Sequence, residues 1–467
     1  MIADERGLAL SGADAAQAAA FDAVVRDYLD YRLSAFPALK ALCAQAPEFA
    51  MAHIFKGFLL LSMGTREIEA AARACHRHVS ARAEALTARE RCHLCALAAW
   101  ARGDTVGACA CWDEAMLHAP LDLLALRLQH FALFWLGAAE RMRDAAARVL
   151  PAWGEDAPGY AHVLGVYAFA LEETHCYARA ERLGREAVER HPDDLWSLHA
   201  VVHVYEMQGR LSEGALLLDQ PLDRWHDRNP FQGHLWWHAA LFAFERGAFE
   251  RALALYDSAV RPAESDFYLD LQNTASLLAR LQLAGIDVGA RWGDLADAVR
   301  QRIGDYALVF TEPHCAMAFG HAGRVELRAQ HLDALRDLAM ETGDGNGDGN
   351  SSAPLIAPLV EPLCIAIGDF CDGDHAAAAD ALLALRYDCQ SIGGSHAQRD
   401  VFNLYLIAAA ERAQNLELAR ALLTERVARY RNSYPSWQRY AEICERLGDR
   451  KASAEAREEL KRIAEMA

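Results

Sequence analysis

Residues 195–210 read LWSLHAVVHVYEMQGR, and residues 233–249 read GHLWWHAALFAFERGAF. Each segment spaces apolar residues by three and four and closes on a glycine-containing turn, at Gly209 and Gly247. That is the pattern of an amphipathic helix with a left-handed cap. Each also carries two histidines four residues apart: His199 and His203, then His234 and His238. Four residues is about one helical turn, so each pair shares a face, and Glu206 extends the first. Two neighbouring helices therefore present imidazoles and a carboxylate where packing alone would call for leucine or alanine.

The same punctuation recurs along the chain. Helix ends are expected at Gly64, Gly103, Gly137 and Gly323, each followed by a second helix rich in Ala and Glu or Arg, such as FERALALYDSAV at 249–260. Pro47, Pro120, Pro158, Pro192 and Pro230 open units, and the last four are 38, 34 and 38 residues apart. A period of about 34 is that of tetratricopeptide repeats, here with small insertions. Ala and Leu dominate and β-branched residues are sparse, which favours helix. The expected fold is all-α, a degenerate tetratricopeptide-like helix-pair solenoid or α-α superhelix. It divides into a loose leader at 1–19 and a solenoid with a His/Glu-lined groove at 20–341. A flexible Gly/Asp/Asn loop at 342–353 and further solenoid repeats at 354–467 complete it.

That loop, TGDGNGDGNSSA, begins like a calcium loop at Asp344, Asn346, Asp348 and Gly349. Position twelve is Leu355 instead of the bidentate glutamate, so a loop without calcium is the better reading.

The chain has 467 residues, with 47 basic and 65 acidic side chains and a net charge of −18. A nucleic-acid-binding surface favours the opposite sign, so no nucleic-acid partner is expected. The N-terminus carries acids where a secretion signal needs bases. No run reaches the eighteen or so apolar residues of a membrane span, so no membrane association is expected. The twelve cysteines lie along helical patterns and read as buried thiols, which makes a cytoplasmic location the expectation.

With these pieces placed, the chain resembles the tetratricopeptide repeat protein 38 family. The matching stretches are LTARERCHLCALAAWARGD (86–104), PLDLLALRLQHFALFWLG (120–137), YAFALEE (167–173) and HAVVHVYEMQGR (199–210). They continue with HLWWHAALFAFERGAFERALALYD (234–257), LDLQNTASLLARL (269–281) and DVGARW (287–292). The resemblance runs from about residue 20 to 430 and implies a helical-repeat solenoid. It brings no established reaction. Two departures stand out: His175 occupies a position where the family has glycine, and Glu312, before His314, replaces an aspartate.

Counting back from each turn places the polar groups. His199, His203 and Glu206 lie ten, six and three residues before Gly209, and His234 and His238 lie thirteen and nine before Gly247. His314 lies nine before Gly323. His162 and Glu172 lie thirteen and three before His175, which takes the turn position in its unit. At about 100° per residue these positions fall within an arc of roughly 120°. First helices line the inner surface of tetratricopeptide solenoids, so the arc should face the groove.

A metal site is one reading. His199, His203, Glu206, His234, His238 and His314 would ligate a divalent transition metal, Zn, Fe or Mn. Glu206 and Glu173 are the candidate catalytic carboxylates, and Asp270 and Glu173 could orient ligands from outside. His162, Glu172, Trp237 and Asp270 are candidate ligand contacts. The competing reading is a hydrogen-bonded structural network, with Trp236 and Trp237 as wedges between helices. Cys92 and Cys95 form a CxxC beside Cys109 and Cys111, but inside a helical pattern this reads as buried thiols. No phosphate loop or nucleophile elbow is present.

Two functions follow. One is a small-molecule site in the groove, extending to a metal-dependent enzyme. The alternative is a protein-interaction scaffold that binds a peptide or partner protein in the concave groove.

Overall fold

The computed structural model describes residues 2–261, 265–305, 308–341 and 350–466. The calcium-like positions Asp344, Asn346, Asp348 and Gly349 lie outside them. Twelve helix pairs follow one another among the described residues. They are α1 (Ala15–Leu29) and α2 (Ala35–Gln45), α3 (Ala50–Ser62) and α4 (Arg66–Ser80), α5 (Ala88–Trp100) and α6 (Thr105–His118). Next come α7 (Leu123–Trp135) and α8 (Ala139–Val149), α9 (Tyr160–Glu173) and α10 (Tyr177–Arg190), α11 (Leu195–Met207) and α12 (Leu211–Leu217). Then α13 (Phe231–Glu245) and α14 (Phe249–Leu255), α15 (Tyr268–Leu283) and α16 (Arg291–Val299), α17 (Thr311–His321) and α18 (Val325–Glu341). The last are α19 (Glu361–Asp372) and α20 (His375–Leu385), α21 (His396–Arg412) and α22 (Leu416–Arg429), α23 (Tyr434–Arg446) and α24 (Arg450–Met466). The fold is a tetratricopeptide-like helical solenoid.

One backbone device repeats in every pair. The first helix ends on a residue with positive φ: Tyr31, Gly64, Gly103, Gly137, His175, Gly209, Gly247, Gly285, Gly323, Gly373, Gln414 and Gly448. At most of these turns the next N–H then reaches back five residues, as in Arg210 N–H to Tyr205 O and Cys176 N–H to Leu171 O. This bond satisfies a carbonyl at the helix end and reverses the chain. His175, at φ 62°, adopts the turn that its register predicts without being glycine. For such a residue the left-handed region costs about 1–2 kcal/mol.

The segment expected to be a loose leader carries a short hairpin and contacts to α5. Ile2–Ala3 (β1) pairs antiparallel with Ala9–Leu10 (β2). Ser11 N–H and Oγ donate to Glu90 on α5, and Asp14 caps α1 in a reciprocal box with Gln17. Tethering by the buried Glu90 is the cause, and the pattern of residues 1–19 alone does not reveal it.

The C-terminal repeats do not simply extend the superhelix. α21 turns back and packs against α11 and α15. The turns of earlier units receive residues from this returning half. Gln390 Nε2 donates to Gly137 O at 3.2 Å, Asn432 Nδ2 to Gly209 O at 2.7 Å, and Ser351 N–H to Gly103 O at 3.0 Å. At Gly137 a Cβ would fall 1.9 Å from the Gln390 carbonyl oxygen, so this close approach excludes any side chain.

Buried charge fixes the closure. Arg426, on α22, donates to Asp400 at 2.5 Å, Ser436 at 2.8 Å and Glu245 at 3.3 Å. Arg280 on α15 donates to Ala397 O at 2.6 Å. Such pairs cost desolvation when formed, and breaking one is worse because a lone charge stays buried. The opposite end is closed by Arg32, which pairs with Asp193 at 3.0 Å and Asp227 at 2.5 Å.

One helical run, Ala353–Asp372, is long and apolar enough to cross a membrane, contrary to the reading of the sequence. Half of its apolar window is buried inside the fold. Core burial between helix pairs selects the same composition as a bilayer does.

Candidate functional site

α11 and α13 stand side by side as first helices of consecutive pairs. α11 starts at Asp194, whose carboxylate accepts from Trp196 N–H at 2.9 Å and from the Ser197 hydroxyl. α13 starts after Asn229, whose Oδ1 accepts from Phe231 N–H at 3.0 Å. These caps set the rotation that brings His199, His203, His234 and His238 together. Each offers a ring nitrogen within 4.8 Å of the others, and all four are buried. Ring centroids of His199 and His203 are 4.4 Å apart, of His203 and His238 4.6 Å, and of His234 and His238 4.8 Å.

Oxygen partners stand behind the rings. His234 Nδ1 lies 2.9 Å from Asn273 Oδ1, and His238 Nδ1 lies 2.6 Å from Glu206 Oε2. His203 Nδ1 is 3.5 Å from Glu172 Oε2. When Nδ1–H donates outward, the Nε2 lone pair is left facing the other rings, which is the arrangement of metal-ligating histidines. His234 Nε2 and His199 Nε2 are 3.1 Å apart. Nitrogens around a tetrahedral zinc lie roughly 3.3 Å from one another, given Zn–N bonds of about 2.0–2.1 Å.

The polar groups are under-satisfied. His238 Nε2, both ring nitrogens of His203, His199 Nδ1 and both Glu172 oxygens are buried with no hydrogen-bond partner. Each such atom costs about 1–3 kcal/mol.

Burial governs the electrostatics. It lowers His199, His203 and His234 well below the ordinary histidine value, and the neighbouring imidazoles lower them further. Burial, then Arg280, brings His238 to about 3. Burial raises Glu206 to about 8, against the pull of Arg280. Burial, then Glu173 and Glu206, raises Glu172 well above the ordinary range. The rings are therefore neutral, the state in which imidazole binds a metal.

The other expected ligands go elsewhere. His314 stands outside the group of four histidines; its Nδ1 is 2.9 Å from Phe310 O, and its ring sits beside Phe310 and Phe402. A common arc fixes the direction on each helix, but not the distance between α17 and α11. His162 pairs instead with Asp30, 3.0 Å away, and His191 reaches the same Asp30 oxygen at 2.8 Å. Asp30 caps the C-terminal end of α1, which brings its carboxylate to His162. Asp270 accepts from Ser265 Oγ at 2.6 Å and is raised by burial to about 6; it holds none of the histidines. Glu173 accepts from His396 N–H at 3.1 Å at the start of α21 and lies 3.6 Å from Arg399. Glu173 thus anchors the returning half, and it also offers an oxygen within 4.8 Å of Glu172 and His203 at the edge of the cluster. Trp237 stacks on His234 and donates to Ser276 Oγ at 3.0 Å, a packing role. Cys111 Sγ is 2.7 Å from Cys95 Sγ, while His93 turns away to Asp122 at 2.8 Å.

A cavity of about 560 Å³ opens beside the histidines, and His199 and His234 form part of its wall. Tyr31, Phe231, Trp196, Phe134, Trp135 and Tyr268 make much of the remainder. Arg127 also lines it, buried at 6% exposure. Arg127 donates to Tyr31 Oη and sits 4.2 Å from the Trp196 ring, yet Nη1 has no partner. No carboxylate pairs with it among the described residues. A desolvated cation–π contact returns about 2 kcal/mol, whereas burying an ion costs several.

Sequence reasoning missed Asn273, Arg280 and Arg127. Each left a signal. Asn273 sits in QNTAS, a polar run inside an apolar helix, and Arg127 is the one charge in LLALRLQHFALFW.

No family model matches the chain. Among solved structures, the chain is similar to a human IFIT1 dimer with PPP-AAAA, at 14% identity and a TM-score of 0.41, covering 95% of this chain and 94% of that one. It is also similar to the APC/C hetero-tetramer Cut9–Hcn1, at 10% identity and 0.36, covering 95% and 92%. A third is the P58(IPK) TPR domain, at 12% identity and 0.22, covering 81% and 97%. Likeness at this level carries nothing about function.

Proposed function

We propose that this protein is a helical-repeat receptor for a small organic molecule, with a divalent transition metal held by His199, His203, His234 and His238. The observation that carries this reading is that His199 and His234 belong both to the histidine cluster and to the wall of the apolar cavity. A volume of about 560 Å³ falls in the range of about 300–1,000 Å³ usual for small-molecule sites. Four imidazoles would complete a tetrahedral zinc shell and make it structural. A six-coordinate Fe or Mn would keep two positions open to a guest, and that is where an enzymatic role would enter. Membership of the tetratricopeptide repeat protein 38 family and a cytoplasmic location belong to the same proposal.

The test is elemental analysis of untagged protein. About one equivalent of metal, lost in His199→Ala and His238→Ala, is expected. Untagged protein that neither carries nor takes up a transition metal would remove the metal while leaving the cavity.

A second reading has its own observation. Leu33, Phe36 and Met63 line the cavity mouth and are 55%, 38% and 45% exposed. An apolar collar of this kind suits a scaffold that docks a partner peptide by one apolar side chain. A stoichiometric partner released by Met63→Glu would favour it.

A further inference from the structure

Resting on the reading of the cavity as a small-molecule site, the chemistry of its wall narrows the class of guest. The chain carries a net charge of −18, yet the lining contains two arginines and no aspartate or glutamate. Arg32, at the mouth, is already paired with Asp193 and Asp227. Arg127, deeper in, has no carboxylate partner, and its Nη1 has no acceptor. Its remaining contacts are the Tyr31 hydroxyl and the faces of Tyr31 and Trp196. A buried guanidinium left without a counter-ion beside an apolar cavity is a pre-formed half of an ion pair.

We propose that the cavity takes an organic anion, a carboxylate on an apolar body, with its charged end at Arg127 and Tyr31 and its body among the surrounding rings. The guanidinium fork matches a carboxylate in two parallel hydrogen bonds. The aromatic wall supplies apolar contact and few hydrogen-bonding groups. That same wall disfavours a peptide end, whose main-chain N–H and C=O groups would need partners there. His199 and His234 lie further along the wall.

The experiment is calorimetric titration of the full untagged chain with decanoate and with decan-1-ol, which differ in the head group. Decanoate is expected to bind at least about tenfold more tightly than the alcohol. In Arg127→Met that preference should vanish while the alcohol binds as before, and in Arg127→Lys it should shrink, because a point charge replaces the fork. Equal binding of acid and alcohol by the unaltered protein would overturn the inference and leave the small-molecule reading standing. A preference that survives in Arg127→Met would assign the anion to the histidines and also overturn it. If neither compound binds, the small-molecule reading falls along with the inference. If Arg127→Met fails to fold, Arg127→Lys, which keeps the charge, decides the placement: a preference undiminished there would overturn the assignment to Arg127.

Discussion

Glu206 Oε2 lies 2.6 Å from His238 Nδ1, with both side chains buried and one helix apart. The contact crosses from α11 to α13 and fixes which nitrogen of His238 faces the other imidazoles. A carboxylate behind a ligating histidine sets its tautomer and raises its basicity. Glu206→Gln keeps the shape and removes the ionisable carboxyl, which burial holds largely protonated until a bound cation favours the carboxylate. Metal affinity is expected to drop about 10- to 100-fold, read by competition with a chromogenic chelator, with little change in helical content. An unchanged affinity would return Glu206 to a structural role.

Metal and folding should be linked. An ion that binds only the native state stabilises it by about 2.7 kcal/mol at a hundred times its dissociation constant. Stripping with a chelator is therefore expected to lower the melting temperature of the native protein and to leave His203→Ala almost unmoved. Equal shifts in both would locate the chelator's effect elsewhere.

Arg426 holds the returning half through Asp400, Glu245 and Ser436. Arg426→Ala leaves two buried carboxylates without their cation and should cost about 3–5 kcal/mol. Arg426→Lys should recover only part, because an ammonium cannot reproduce the fork. Urea denaturation midpoints check both.

The contact between Asp30, His162 and His191 predicts a pH dependence. The hydrogen bond to Asp30, followed by its charge, raises His191 above the ordinary value, and burial opposes this. Asp193 and Asp194 add to the rise, and Arg228 binds the Asp30 carbonyl from the far side. A raised histidine contributes its stability fully below about pH 6.5 and loses it as pH rises through its folded value. The histidine bonds to Asp30 hold that carboxyl below its ordinary range despite burial, so it fades only in strong acid. The melting temperature should fall as pH rises above about 6.5, and His191→Gln should flatten that fall. A steeper fall in the variant would reverse the assignment.

Gln414 occupies a turn at φ 59° and is exposed. Gln414→Gly should stabilise the protein by about 1 kcal/mol, since glycine adopts this conformation without the Cβ clash. A lower melting temperature would show that its bond from Arg446, at 3.0 Å, outweighs the strain.

The repeat frame was legible because it is local. A helix end needs a left-handed residue about every 34 to 38 positions, and the spacing of Gly137, His175, Gly209 and Gly247 exposes it. The pairing of His199 and His203 with His234 and His238 was legible too, since adjacent first helices share a face. His314 and His162 defeated the same logic. An arc gives direction, and α17 and α9 differ in what lies opposite them.

The sequence by itself determined a stack of helix pairs and the four inward histidines, because 3.6-residue periodicity and turn chemistry act over a few residues. Tertiary structure alone decided that α21 returns to bury those histidines, that Asn273 and Glu206 stand behind them, and that Arg127 is left without a counter-ion. Those facts depend on contacts between residues tens to hundreds of positions apart, which accumulated superhelical twist sets and no short-range pattern records.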